Sequence, residues 1–95
     1  MKNLITLIKL SWRVKSNIRH CLSFDKNSDE YQRAHYYETL LNNIDDEKIT
    51  IEEIDKLKES VHQQQLEHQE SKALNELFMA INDFLEQIQH MKMSN

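Results

Sequence analysis

The chain has 95 residues and a formal net charge of −4, with one cysteine and neither glycine nor proline. Without glycine it cannot contain a Walker loop, a dinucleotide-binding glycine fingerprint or a nucleophile elbow. β-Rich folds use glycine and proline at their turns, whereas this chain is rich in helix-forming residues such as Leu, Glu, Gln and Lys. The composition therefore predicts an all-α protein that forms one helical domain over residues 1–95.

The first predicted helix spans residues 2–24 and carries a strong apolar face. Spacings of three and four residues define this face, which contains Leu4, Leu7, Ser11, Val14, Ile18 and Cys21. A second apolar row beside it contains Met1, Ile5, Ile8 and Trp12. On the polar side, four basic residues fall within about 40° of one another. We call them the basic ridge: Lys2, Lys9, Arg13 and His20.

Charge is divided unevenly along the chain. Residues 1–24 hold five Lys or Arg and no acid, whereas residues 25–95 hold seven Lys or Arg and sixteen Asp or Glu. The first segment therefore carries +5 and the remainder −9. The simplest interpretation is that the basic helix packs among acidic helices and the fold neutralises itself. The alternatives are that the basic ridge faces anionic lipid or nucleic acid, or that the acidic body faces a basic partner.

The second predicted helix spans residues 29–43 and follows Ser28, a residue suited to the N-cap position. Its tyrosines are expected at the edge of the core, with each ring inside and each hydroxyl outside. The turn around residues 42–46 is rich in Asn and Asp, which tolerate left-handed backbone where glycine is absent.

The third predicted helix, residues 51–68, has the clearest start signal in the sequence. Thr50 and Glu53 have the spacing of a capping box, and Ile49 and Ile54 are placed as a hydrophobic staple.

The fourth predicted helix, residues 72–92, follows Ser71 and has a continuous apolar stripe. The prediction is a small antiparallel bundle of about four helices. Because residues 62–72 contain no helix breaker, three helices with one long C-terminal helix from residue 51 to about 92 are the alternative.

No metal site, cofactor or catalytic centre is predicted. Glu59 and His62 have the E-x-x-H spacing found in di-iron bundles, and His35 and Glu38 have the reverse order. Glu59 lies off the apolar line of its helix, however, so its carboxylate is expected to face water. Cys21 lies on an apolar face and is expected to be a buried, inert thiol. The protein is therefore predicted not to be an enzyme.

The sequence favours a protein that acts by binding. In size and composition it resembles small, acidic, all-helical regulators of the antitoxin, immunity and adaptor type, although no motif carries that resemblance. It is predicted to bind another protein of basic character and to regulate or neutralise it. The contact residues are expected on the polar side of the fourth helix. We call them the acidic stripe: Glu76, Met79, Asp83 and Glu86.

Two other functions remain open. In the first, the basic ridge together with Ile5, Ile8 and Trp12 anchors the protein at an anionic membrane surface. In the second, the ridge positions the protein on nucleic acid. A homodimer is also expected, because helices 2 and 3 are too short to cover the apolar faces of helices 1 and 4. The lone cysteine and the lack of a long apolar run predict a cytoplasmic location.

Overall fold

The computed structural model describes residues 2–94, with side chains described from Leu4 onward. Within that range the chain forms no strand and four α-helices: α1 (Lys2–Cys21), α2 (Asp29–Asn42), α3 (Ile51–Glu67) and α4 (Lys72–Met93). The principal extents of the molecule are 42 × 23 × 21 Å. The prediction of an all-α bundle with four helices is confirmed.

Helix α4 is the central element. It packs against each of the other three helices, whereas the backbones of α1 and α3 do not approach each other within residues 2–94. Helix α1 runs antiparallel to α4, because Arg13 contacts Asp83 while Cys21, two turns later, contacts Ala73. Helices α1 and α3 therefore flank α4 on different sides, and α2 packs against both α1 and α4.

The predicted start signals form as hydrogen bonds. The Ser28 hydroxyl accepts the backbone N–H three residues later at 3.2 Å, and so caps α2. Thr50 and Glu53 complete the capping box of α3, with contacts of 3.1 Å and 3.3 Å in the two directions. Ile49 and Ile54 are both buried beside it. These bonds satisfy backbone donors that the first turn of a helix leaves without a partner.

The alternative of one long helix from residue 51 to 92 is wrong. Helix α3 ends at Glu67, with His68 at φ −123° and ψ 36° as its C-cap. Ser71 then caps α4 by accepting a backbone N–H at 3.2 Å, and it donates a hydrogen bond of 2.7 Å to the Glu30 carboxylate. The turn is therefore fixed to the start of α2. Tertiary contacts end the helix where the local sequence would let it continue.

Two local predictions differ from the structure. Helix α1 ends at Cys21 rather than at residue 24, because the N–H of Ser23 turns back to the carbonyl of His20. The turn after α2 does not use left-handed backbone, since no residue within 2–94 has a positive φ. The Asp45 carboxylate instead accepts the N–H of Glu47 at 3.0 Å and stabilises a turn built from residues of negative φ.

The core is built around α4, which contributes seven buried residues: Leu74, Leu77, Phe78, Ala80, Ile81, Leu85 and Ile88. The inner face of α1 adds Leu7, Val14, Ile18 and Cys21. One chain therefore covers the apolar stripe of α4. The homodimer was expected because a second copy seemed necessary to cover this stripe. The homodimer stays a prediction, but the covered stripe no longer supports it.

Tyr37 contradicts the expectation that the tyrosine hydroxyls lie outside the core. Its side chain is 1% exposed, and its ring packs edge-on against Phe78 with 5.8 Å between centroids. Its hydroxyl is buried and has no hydrogen-bond partner within the described residues. The neighbouring Tyr36 is half-exposed. The core therefore takes one complete tyrosine, and the burial raises the pKa of its hydroxyl.

Candidate functional site

The four residues of the acidic stripe lie on one open side of α4, facing away from its buried residues. Glu76 and Glu86 are exposed, Asp83 is partly exposed, and Met79 at the centre is 51% exposed. Because α1 and α3 flank this helix, the stripe lies between their edges. The structure thus brings the predicted residues together on one accessible surface.

Two of the three carboxylates in the acidic stripe are paired within the molecule. Asp83 Oδ2 lies 2.7 Å from Nη1 of Arg13 in α1, and Glu86 Oε1 lies 3.6 Å from Nζ of Lys58 in α3. Exposed pairs of this kind contribute roughly 0–1 kcal/mol, because water and salt screen them. Glu76 has no ion pair or hydrogen bond within the described residues. The stripe therefore holds one free carboxylate and two weakly engaged ones.

The basic ridge runs beside the acidic stripe, as the contact between Arg13 and Asp83 shows. The side chain of Lys2 lies outside the described residues. Lys9 is exposed, and the ring of His20 packs edge-on against Phe24 at 5.5 Å between centroids. Among the described residues of the basic ridge, Arg13 is therefore the one whose charge is balanced by a carboxylate of a neighbouring helix. No ion pair to Lys9 exists within the described part of the chain.

A second exposed surface lies on the outer side of α1. We call it the outer face: Ile5, Ile8, Trp12, Lys15 and Arg19. Trp12 is 68% exposed, and the two isoleucines are about half-exposed. Leu4, expected on the inner face, is also half-exposed, because it lies at the open end of α1 where only a shallow cleft with Leu7 and Met91 forms.

The sequence placed the apolar members of the outer face in a second row of α1 but left Lys15 and Arg19 out of the basic ridge. Both cations continue the line of Trp12, at three and seven residues beyond it. That spacing keeps side chains on one side of a helix. The helical period was therefore sufficient to find them.

A cleft of about 330 Å³ opens where α1 meets α2 and α4. Its apolar lining comes from Val14, Ile18, Leu22, Leu41 and Phe84. Lys15 and Arg19 from α1 and Glu38 from α2 also line it. The cleft joins the cationic end of the outer face to the side of α2, and its cations and single carboxylate partly offset one another.

Metal-binding clusters and the one thiol of the chain are the remaining chemical features of the described residues. Within residues 2–94 no three His, Cys, Asp or Glu side chains are placed so as to hold a metal ion. Cys21 is fully buried, as predicted, and its thiol lies 3.7 Å from the carbonyl oxygen of Ala73. Burial raises the pKa of this thiol to about 11. A thiol of such high pKa is a poor nucleophile at neutral pH, since the thiolate is the reactive form.

No protein-family model, curated protein or solved structure matches this chain. Within the described residues, no helix combines the length and apolar content that crossing a bilayer requires. The two exposed surfaces, the acidic stripe and the outer face, are therefore the features of this chain that bear on its function.

Proposed function

We propose that this chain is a non-enzymatic helical protein that binds a basic partner protein through the acidic stripe, and thereby regulates or neutralises it. The observation that carries the proposal is the exposed thioether of Met79, which lies among three carboxylates on the open side of the central helix. Methionine adapts its shape to a contact surface, and it is common on surfaces that bind other proteins.

Charge distribution supports a basic partner. Residues 25–95 carry a net −9, so a protein of opposite charge would be attracted over a distance and would associate faster. The internal pairs of Asp83 and Glu86 oppose this attraction only weakly, because exposed ion pairs contribute little and exchange readily. Cations of the partner can replace Arg13 and Lys58 at these two carboxylates.

The proposal also covers location. A single cysteine that is fully buried and unpaired suits a reducing compartment, where disulfides do not persist. A cytoplasmic partner is therefore expected.

The test compares two variants with the same change in net charge. Glu76→Lys/Met79→Ala alters the acidic stripe, and Glu59→Lys/Met93→Ala alters exposed residues elsewhere on α3 and α4. Proteins captured from host lysate at low salt are identified and purified, and their affinity for each variant is measured by calorimetry. We expect a basic protein whose binding weakens at least tenfold with the first variant and is kept by the second.

Equal affinity of the captured protein for both variants would contradict the proposal, because binding would then occur on another surface. An affinity that does not change between low and high salt would also contradict it, since the contact is argued from opposite charges. Circular dichroism of each variant establishes that the helices are intact before binding is compared.

A further inference from the structure

The outer face of α1 exposes apolar side chains that the bundle does not use. Ile5, Ile8 and Trp12 lie on the side of the helix opposite to the buried Leu7 and Val14. Trp12 is the only tryptophan of the chain and is 68% exposed. Scattered exposed apolar residues are ordinary, but these three form a continuous line at spacings of three and four residues. The line therefore constitutes a surface.

Cations continue this surface toward the end of the helix. Lys15 and Arg19 fall within about 80° of the apolar line, at about 100° per residue, and Lys9 lies just beside it. None of the three has an ion pair within the described residues, in contrast to Arg13. The outer side of α1 is thus apolar in its first turns and cationic in its later ones.

The carboxylates near α1 lie along its flanks and beside its first turns, where Asp46 and Glu47 line a cleft with Leu4 and the buried Leu7. Asp83 pairs with Arg13 on one flank, and Glu38 shares the cleft with Lys15 and Arg19 on the other. The most acidic helix, α3, has five Asp or Glu and two Lys, and its backbone does not approach α1. A flat anionic surface could therefore approach the outer face of α1 while α3 stays on the far side of α4.

We propose that the outer face of α1 docks reversibly on a membrane surface that contains anionic lipid. A tryptophan and two isoleucines suit the boundary between headgroups and acyl chains, and the three free cations suit phosphate headgroups. Charge complementarity decides the occupant. A second copy docking through the same surface would set the cations of the two chains against each other, because a two-fold interface places each patch on itself.

This inference goes beyond the proposed function and does not depend on it, because the acidic stripe takes no part in the docking. A protein that used both surfaces would sit on the membrane through α1 and present the acidic stripe to a partner from the side.

The experiment uses Trp12 as its own probe. The full-length protein is mixed with vesicles of phosphatidylcholine, with or without phosphatidylglycerol, and tryptophan emission and co-sedimentation are recorded. We expect a blue shift and reduced acrylamide quenching with the anionic vesicles. Each cation near such a surface contributes roughly fivefold in affinity, so three cations predict a preference of about a hundredfold over neutral vesicles.

Two charge-matched variants locate the contact. Lys15→Glu/Arg19→Glu removes cations from the outer face, and Lys26→Glu/Lys48→Glu makes the same charge change in exposed connectors. We expect the first variant to lose at least about 25-fold in affinity for anionic vesicles, from two cations at roughly fivefold each, and the second to keep most of it. Circular dichroism of both variants controls for folding.

Several results would overturn the proposal. One is an unchanged Trp12 emission with anionic vesicles. Another is an equal loss of affinity for anionic vesicles in the two variants. A third is co-sedimentation with vesicles while acrylamide still quenches Trp12 fully. A dimer that buries Trp12 in the absence of lipid would assign the outer face to a second copy. A blue shift of Trp12 with duplex DNA but not with vesicles would assign it to nucleic acid.

Discussion

Replacing Tyr37 with phenylalanine removes one oxygen atom from the core and keeps the ring. The hydroxyl is buried and lacks a hydrogen-bond partner within the described residues, although Ser60 lies near enough to oppose part of the rise that burial causes in the pKa of Tyr37. The two hydroxyls do not meet the geometry of a hydrogen bond, so the Tyr37 oxygen is unpaired within the described residues.

This geometry sets the sign and the size of the expected effect. An unpaired buried polar group costs about 1–3 kcal/mol relative to an apolar one of the same shape. Phenylalanine keeps the edge-on contact with Phe78, where the ring centroids lie 5.8 Å apart. We therefore expect Tyr37→Phe to raise the free energy of unfolding by about 1 kcal/mol, which corresponds to an increase in Tm of about 4–8 °C for a domain of this size.

Urea unfolding followed by circular dichroism measures this difference, with Ser60→Ala and the double variant completing a mutant cycle. An unpaired Tyr37 predicts additive effects and a higher midpoint for Tyr37→Phe. A loss of about 0.5–1.5 kcal/mol for Tyr37→Phe, coupled to Ser60, would refute the reasoning, because that is the contribution of a hydrogen bond.

Three further predictions concern the core and the turn before α4. Burial raises the pKa of Cys21 from 9.0 to about 11, so the fold favours the protonated thiol. The difference in free energy of unfolding between the unchanged protein and Cys21→Ala should therefore be constant below pH 9 and should fall between pH 9 and about 11. Denaturant titrations at several pH values measure this difference. Ser71→Ala should cost about 1 kcal/mol at neutral pH. The Ser71 hydroxyl lowers the pKa of Glu30, so this cost should shrink in acid as Glu30 protonates, and a cost unchanged down to the acid transition would contradict the contact. Phe78→Ala should cost about 3–5 kcal/mol, measured by thermal unfolding, because Phe78 is fully buried.

The helices and their caps could be predicted from the sequence because the signals are local. The capping box of Thr50 and Glu53 and the N-cap at Ser28 involve residues three apart, and both form as expected. The spacing along α4 similarly predicted a continuous apolar stripe, and the buried residues of this helix lie along it, with the acidic stripe on the open side. Such patterns are determined by the period of one helix and need no knowledge of its neighbours.

The remaining features depend on contacts between distant parts of the chain. The break between α3 and α4 depends partly on the hydrogen bond from Ser71 to Glu30, which lies 41 residues away. The pairing of Asp83 with Arg13 across 70 residues weakens the expected negative charge of the acidic stripe, and no local pattern shows it. The burial of the Tyr37 hydroxyl could not be predicted from the sequence either, because it depends on how α2 packs against Phe78 of α4.

The position of the cations on α1 bears on whether they only balance the acidic helices or also bind a negatively charged target. If the charge of this helix served only to balance an acidic bundle, its cations would be expected where Arg13 lies, against a carboxylate of a neighbouring helix. Lys9, Lys15 and Arg19 instead remain free of ion pairs within the described residues and lie beside exposed Ile8 and Trp12. An apolar surface of this kind is a liability for a protein that must stay dispersed, and adjacent positive charge reduces self-association without blocking contact with anions. That combination supports the proposed docking of the outer face on a negatively charged membrane surface.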